Sequence, residues 1–184
     1  MEILSRFNVP FSAMPSPLVE TFTDDPPREQ VVRLSKAKID ALVKERPGVA
    51  HSLILGADTC ISYHSTILGK PADADHAKEM LRRFSGDTHQ VITGLTLYNG
   101  QTGEYLQKSE TADVTFAVLH DEELAWYLST GEWKGAAGGY RIQGKGALFI
   151  ESMHGSYYNV MGLPIRLFYG MLAQQNPQLS LWSL

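Results

Sequence analysis

The sequence predicts a mixed α/β fold in which helices flank a twisted sheet. Three observations support this prediction. Residues 52–58 form an apolar run of the kind that fills a buried strand. Residues 28–44 instead place their apolar side chains on one helical face. Residues 89–119 alternate apolar and polar side chains around Asn99-Gly100, which predicts two antiparallel strands joined by a tight turn. At 184 residues, the chain is long enough for a single domain with its own core.

The other elements are predicted from the same periodicities and from turn residues. In chain order, we expect an edge strand at 9–14, a second strand or hairpin at 61–68, a helix at 75–84, a helix at 121–129, a glycine-rich irregular segment at 131–146, a short strand at 147–150 and a closing helix at 163–174. Pro164 suits the first position of that last helix, because its missing N–H group has no partner to lose there.

Composition narrows the class of protein. The net charge of -4 and the isoelectric point near 5.8 argue against a nucleic-acid partner, which would require a basic surface. Cys60 is the single cysteine, so an internal disulfide is impossible and we expect a reducing cytoplasm. No apolar run approaches the ~18 residues that cross a bilayer, so we expect no membrane partner.

Two charged residues follow the buried strand. Asp58 ends it, and Lys70 comes soon afterwards between Gly69 and Pro71. In open α/β sheets, ligands bind beyond the ends of strands. A carboxylate is a hard ligand for divalent cations and a lysine binds phosphate, so the pair indicates metal-dependent chemistry on a phosphorylated substrate. Each residue by itself is equally typical of a turn.

Other motifs are less specific. A loop acid such as Glu20 and a helix lysine such as Lys38 are ordinarily solvated, and Gln143 between glycine-containing segments either reads a base edge or is a polar loop residue. No two of the histidines have the i, i+4 spacing of a helical zinc site, and no serine lies in a nucleophile elbow. Zinc chemistry and a serine hydrolase are therefore disfavoured.

Several short blocks of the sequence occur together in one known family. They are Gly56-Ala57-Asp58-Thr59, Gly69-Lys70-Pro71, Ser85-Gly86-Asp87-Thr88-His89, Thr93-Gly94, Thr130-Gly131-Glu132, Ala137-Gly138-Gly139-Tyr140 and Ile142-Gln143-Gly144. In this order and spacing, the chain resembles the Maf (septum formation) family of nucleoside triphosphate pyrophosphatases. The resemblance extends over about residues 1–172. It implies an elongated, two-lobed Maf/ITPase-like architecture with a central cleft.

The resemblance also implies an activity and a site. The family hydrolyses nucleoside triphosphates to the monophosphate and pyrophosphate with Mg²⁺ or Mn²⁺, and the match to its dTTP/UTP branch implies removal of non-canonical nucleotides. By resemblance, Asp58 is the proton acceptor for the attacking water and Lys70 binds phosphate. Glu20 matches the family's loop glutamate and shares the metal with Asp58. Lys38 matches a substrate-binding helix lysine, and Thr59 and Gln143 match positions linked to base selectivity.

Two departures from the family pattern qualify the expected activity. In the family, a strand and a Ser-x-Ser-Pro-Arg-Arg loop precede the position matched by Met1, and this sequence has neither. Ala136 stands where the family has a lysine, and Lys134 lies two residues earlier. The alternative is therefore a weakened homologue that binds nucleotide or a partner protein. A homodimer is expected by resemblance alone, and the preferred base stays open.

Overall fold

The computed structural model describes residues 2–7, 10–21 and 23–175. Its fold is mixed α/β, with an open antiparallel sheet flanked by helices. The described residues contribute five strands in the order β2-β1-β3-β4-β5. The strands are β1 (Leu53–Tyr63), β2 (Thr66–Leu68), β3 (Thr88–Asn99), β4 (Glu104–Phe116) and β5 (Ile150–His154).

Six α-helices lie within the same residues. They are α1 (Glu2–Arg6), α2 (Pro27–Glu45), α3 (Ala74–Phe84), α4 (Asp121–Ser129), α5 (Tyr157–Val160) and α6 (Ile165–Gln175). Pro27 occupies the start of α2, and Asp73 caps α3 by accepting a hydrogen bond from the N–H of His76. The predicted closing helix is present as α6, but it begins at Ile165, so Pro164 lies just before the helix and not at its first position.

The chain divides into two compact units. The first takes its residues from 1–58, 93–110 and 162–184, and the second from 59–92 and 111–161. Strands β1, β3 and β4 each contribute residues to both units. The prediction of one domain over 1–184 stays a prediction.

The first unit buries apolar side chains on both faces of its part of the sheet. On one face, Val31, Leu34, Ile39 and Leu42 of α2 are buried. On the other face, Leu95 and Leu97 of β3 pack with Phe168, Met171 and Leu172 of α6. Side chains alternate along a strand, so Gly94 and Thr96 fall on the α2 face. A Cβ on Gly94 would lie 2.5 Å from the carbonyl oxygen of Val31, so glycine permits this close approach.

The second unit has an aromatic core. Phe84, Phe116, Tyr127, Tyr140 and Phe149 are buried there with aliphatic side chains from β1, α3 and α4. His89 is also buried, stacked on Phe84 with ring centroids 4.2 Å apart. Its Nε2 atom lies 2.7 Å from the hydroxyl oxygen of Tyr140. Tyr140 of this core lies three residues before Gln143 and anchors the chain that leads to it.

Most predicted elements are confirmed. The buried strand is longer than predicted: β1 does not end at Asp58 but continues to Tyr63. Two other predictions are wrong. Residues 10–14 form no strand, and Pro10 has no N–H group to offer a ladder; Val9 lies outside the described residues. The strand predicted at 147–150 is instead a 3-10 turn over Lys145–Phe149 followed by β5. The ladder with β4 begins only at Phe116 and Ile150, beside an irregular register, so earlier residues have no strand to pair with.

Candidate active site

Asp58 lies near the middle of β1 on the face that meets α2. Because side chains alternate, Gly56 and Asp58 point to the same face of the strand, and both are buried. A Cβ on Gly56 would lie 2.3 Å from the carbonyl oxygen of Ser35 and 2.9 Å from Cγ1 of Ile39. The helix backbone therefore lies directly against the strand. This contact brings Lys38, the neighbour of Ile39, to Asp58.

Lys38 joins two carboxylates. Its Nζ atom donates to Oδ1 of Asp58 at 2.5 Å and lies 2.9 Å from Oε1 of Glu20. The exposed fractions are 22% for the lysine side chain and 10% and 35% for those of Asp58 and Glu20. Burial lowers the pKa of Lys38, but the hydrogen bonds and charges of the two acids outweigh it, so the pKa is raised. Lys38 is therefore a firmly charged link between two acids.

The loop that carries Glu20 is tied to α2 on both sides of this residue. On the N-terminal side, the hydroxyl of Ser16 donates to the carbonyl oxygen of Lys38 at 3.0 Å and accepts from the N–H of Leu18 at 3.3 Å. On the C-terminal side, the N–H of Thr23 donates to Oε1 of Gln30 at 3.0 Å. These bonds fix the irregular loop in a position from which the side chain of Glu20 reaches Lys38.

The donor set of this cluster suits a divalent cation. The carboxylates of Asp58 and Glu20 both reach the ammonium group of Lys38, and carboxylate oxygens are the ligands that Mg²⁺ and Mn²⁺ select. Mg²⁺ commonly uses one or two carboxylates and completes its shell with water and substrate phosphates. Across residues 2–7, 10–21 and 23–175, no group of three or more His, Cys, Asp or Glu side chains could hold a metal. The two carboxylates therefore fit a metal that substrate helps to bind.

Lys70 belongs to the second unit, where its loop is fixed by backbone contacts. The carbonyl oxygen of Gly69 accepts a hydrogen bond from the N–H of Gly138 at 2.9 Å. Pro71 is buried, and its Cγ would lie 3.7 Å from a Cβ on Gly139. The side chain of Lys70 is exposed between these anchors. A rigid loop thus presents a positive charge to solvent, an arrangement that suits an anionic ligand.

Gln143 lies in a tight turn of the same unit. The N–H of Gly144 donates to the carbonyl oxygen of Arg141 at 3.2 Å, which closes the turn. Gln143 is one of the two residues within the turn, and it is exposed to solvent. The guanidinium of Arg141 donates to the carbonyl oxygen of Lys134 at 2.8 Å. Thr59, in β1, is partly buried. An exposed amide on a fixed turn can hydrogen-bond a ligand.

The structure brings together three of the six predicted site residues, namely Glu20, Lys38 and Asp58. The other three, Thr59, Lys70 and Gln143, belong to the second unit. The roles predicted for all six remain predictions. Sequence analysis did not identify Ser16 as a supporting residue, and it placed Glu132 in a family block without assigning it a role. Their partners lie 22 and 14 residues away, so no local spacing marks either contact.

The predictions about location and assembly are tested only in part. Among the described residues, no helix is both long and apolar enough to cross a membrane. The cytoplasmic location and the homodimer stay predictions. The side chain of Cys60 is buried.

Comparison with known proteins places the chain in a family. The model of the Maf family, described as Maf-like protein, matches residues 1–175. Among similar proteins, a dTTP/UTP pyrophosphatase of Pyrococcus furiosus is 41% identical over 165 residues, covering 89% of this chain and 84% of the relative. One of Bacillus cytotoxicus is 43% identical over 89% and 84% of the two chains. One of Symbiobacterium thermophilum is 42% identical over 94% and 87%. This chain therefore belongs to the Maf family.

Proposed function

We propose that this protein is a nucleoside triphosphate pyrophosphatase that acts on dTTP and UTP. One observation carries the proposal: Asp58, near the middle of β1, and Glu20, on the loop before α2, both face the ammonium group of Lys38. Such a cluster supplies a general base and metal ligands together. The shared name of relatives about 40% identical supports the choice of substrate. Removal of non-canonical nucleotides is the expected purpose.

In the proposed reaction, water attacks the α-phosphorus and the bond from that phosphorus to the α–β bridging oxygen breaks. Pyrophosphate leaves with the bridging oxygen, and the nucleoside monophosphate keeps the oxygen of water. Asp58 accepts the proton that the water loses. Lys38 holds Oδ1 of this carboxylate, which fixes its orientation before substrate binds. Asp58 is thus both a base and a member of a rigid charged cluster.

Glu20 and Asp58 would hold Mg²⁺ or Mn²⁺, and the bound ion would neutralise charge on the phosphate oxygens. Lys70 binds phosphate and stabilises the negative charge of the departing pyrophosphate. Lys38 contributes a second positive charge for the substrate. Thr59 and Gln143 contact the base, since both are polar and neither is fully buried.

The test is release of pyrophosphate by the purified protein with Mg²⁺ or Mn²⁺ and a panel of nucleoside triphosphates. We expect turnover of dTTP and UTP. Asp58→Asn should lower kcat by about 10²–10⁴-fold, the usual contribution of a general base, while thermal unfolding shows a folded protein. Asp75→Asn, an exposed change at the start of α3, is the matched control and should keep wild-type turnover. Equal rates in Asp58→Asn and wild type would refute the role of Asp58.

A second candidate function is nucleotide binding without efficient turnover. It is favoured by Ala136, which is buried and offers no charge where the family has a lysine. Lys134 is exposed, and its Nζ lies 5.7 Å from the centre of the Trp133 ring. Calorimetry that finds dTTP binding, together with no pyrophosphate release under either metal, would select this alternative. Ala136→Lys should then raise turnover.

A further inference from the structure

We infer that Glu132 is a positioning residue that holds the turn carrying Gln143 and thereby sets base selectivity. The inference rests on the proposed function, because it needs a nucleotide base near Gln143. Glu132 follows Gly131, whose φ of 70° turns the chain after α4. Its side chain is only 17% exposed, although it carries a charge. A carboxylate is rarely buried to this extent without partners.

Its contacts are with the three consecutive residues that follow Gln143. Oε1 of Glu132 accepts a hydrogen bond from the N–H of Gly146 at 3.2 Å. Oε2 lies 3.8 Å from Nζ of Lys145. A Cβ on Gly144 would lie 2.3 Å from Oε1 and 2.6 Å from Cδ of the same carboxylate. The carboxylate is therefore seated against the turn at Gly144, immediately after Gln143.

Space, and not backbone conformation, explains glycine at position 144. Its φ of -120° and ψ of -151° lie in the extended region, which other residues also adopt. The obstacle to a side chain there is Glu132. Because residue 144 has no side chain, the carboxylate of Glu132 can lie directly against the backbone that follows Gln143.

The consequence concerns selectivity. A side-chain amide offers both a donor and an acceptor, so Gln143 discriminates between bases only if its backbone is held at a fixed position. UTP and CTP differ in hydrogen bonding at the 4-position of the base. UTP has a carbonyl oxygen there, which accepts a hydrogen bond, and CTP has an amino group, which donates one. A loosened turn should accept both more equally. Selectivity should therefore fall while the chemistry at Asp58 continues.

The first experiment compares kcat/KM for UTP and CTP in three variants. In Glu132→Ala, the UTP:CTP ratio should fall roughly tenfold, the size expected when one hydrogen bond to a charged group is lost. Glu132→Gln keeps an oxygen that can accept from Gly146, so it should restore most of the ratio. Glu122→Ala, an exposed change on α4, is the matched control. A purely structural role would lower kcat/KM for both nucleotides equally, which would overturn the inference.

The second experiment is a double-mutant cycle between the carboxylate and the glycine. Gly144→Ala should lower the melting temperature and the selectivity ratio, because its methyl group collides with Glu132. In Glu132→Ala/Gly144→Ala, the space left by the carboxylate receives that methyl group. Gly144→Ala should then lower the melting temperature and the selectivity ratio much less than it does in the presence of Glu132. Additive effects in both readouts would contradict direct contact.

A readout without turnover separates this inference from the proposed function. Amide hydrogen exchange at Gly146 should be faster in Glu132→Ala than in wild type, and calorimetric binding of UTP over CTP should weaken in parallel. If wild-type protein binds UTP selectively but releases no pyrophosphate, the proposed function is contradicted. The exchange rate at Gly146 and the binding preference would still test the role of Glu132. Unchanged exchange, or no binding preference in wild type, would overturn the role of Glu132.

Discussion

Gly56 of β1 and Ser35 of α2 are in such close contact that no side chain fits at position 56. A Cβ on Gly56 would lie 2.3 Å from the carbonyl oxygen of Ser35, a distance that real side chains do not show. The obstacle is helix backbone, which cannot rotate away as a side chain can. Asp58 and Lys38 meet just beyond this contact. The charged cluster therefore depends on a glycine that carries no chemistry itself.

Gly56→Ala should lower the free energy of unfolding by about 3 kcal/mol, because the helix must move away from the strand. The same movement should lengthen the distance from Lys38 to Asp58 and reduce turnover. Denaturant unfolding and pyrophosphate release measure the two effects. Gly170→Ala, in a helix with open space around it, is the control and should be neutral or slightly stabilising. Full stability in Gly56→Ala would contradict the contact.

Lys38→Met should destabilise the protein in the absence of metal. It leaves the carboxylates of Asp58 and Glu20 facing each other without a counter-ion, at a cost of about 2 kcal/mol for partly buried charges. A divalent cation should restore that charge balance. Millimolar Mg²⁺ should therefore raise the melting temperature of Lys38→Met more than that of wild type. Lys36→Met, which removes a surface pair with Asp40, is the control. Equal Mg²⁺ shifts in all three proteins would argue against a metal at these carboxylates.

Lys70→Met should weaken substrate binding without affecting stability, since the side chain is exposed and only the loop backbone is anchored. We expect KM for dTTP to rise roughly tenfold through loss of one charged phosphate contact. Lys70→Arg should retain most of the affinity. Lys44→Met, an exposed lysine at the end of α2, controls for net charge. If Lys44→Met raised KM equally, a specific phosphate contact by Lys70 would be excluded.

His89 should make stability depend on pH. Burial lowers its pKa from 6.5 to about 4, although the charge of Asp87 opposes this shift. The unfolded chain therefore takes up a proton before the folded protein does, so stability is lost as pH falls from about 6.5 to about 4. The loss amounts to about 3 kcal/mol.

His89→Phe removes the titrating ring, so the stability advantage of wild type over this variant should shrink by about that amount between pH 7 and pH 4. Chemical denaturation at each pH measures the difference. His51→Gln, a change at an exposed histidine, is the control. A constant difference between wild type and His89→Phe across this range would contradict a neutral buried imidazole.

Much of the fold could be predicted because the responsible patterns are local. The apolar run before Asp58, the helical spacing in α2 and the Asn99-Gly100 turn each indicate an element that the structure contains. The errors concern elements that depend on a distant partner. Residues 147–150 have a strand-like composition, yet pairing begins only where β4 offers Phe116. A strand cannot be located without its neighbour.

The sequence alone determined the mixed α/β class, the family and the residues with chemical potential, since each depends on residue type and order. From the residue pattern alone, Lys38 was an ordinary solvated lysine on a helix, and only the family resemblance assigned it a role in substrate binding. Only the tertiary structure placed its ammonium between Asp58 and Glu20, and the carboxylate of Glu132 against Gly144. The residues in each of these contacts lie far apart in sequence, as Lys38 and Asp58 do at 20 positions, so no local pattern predicts them. The geometry of the candidate site is therefore a property of packing.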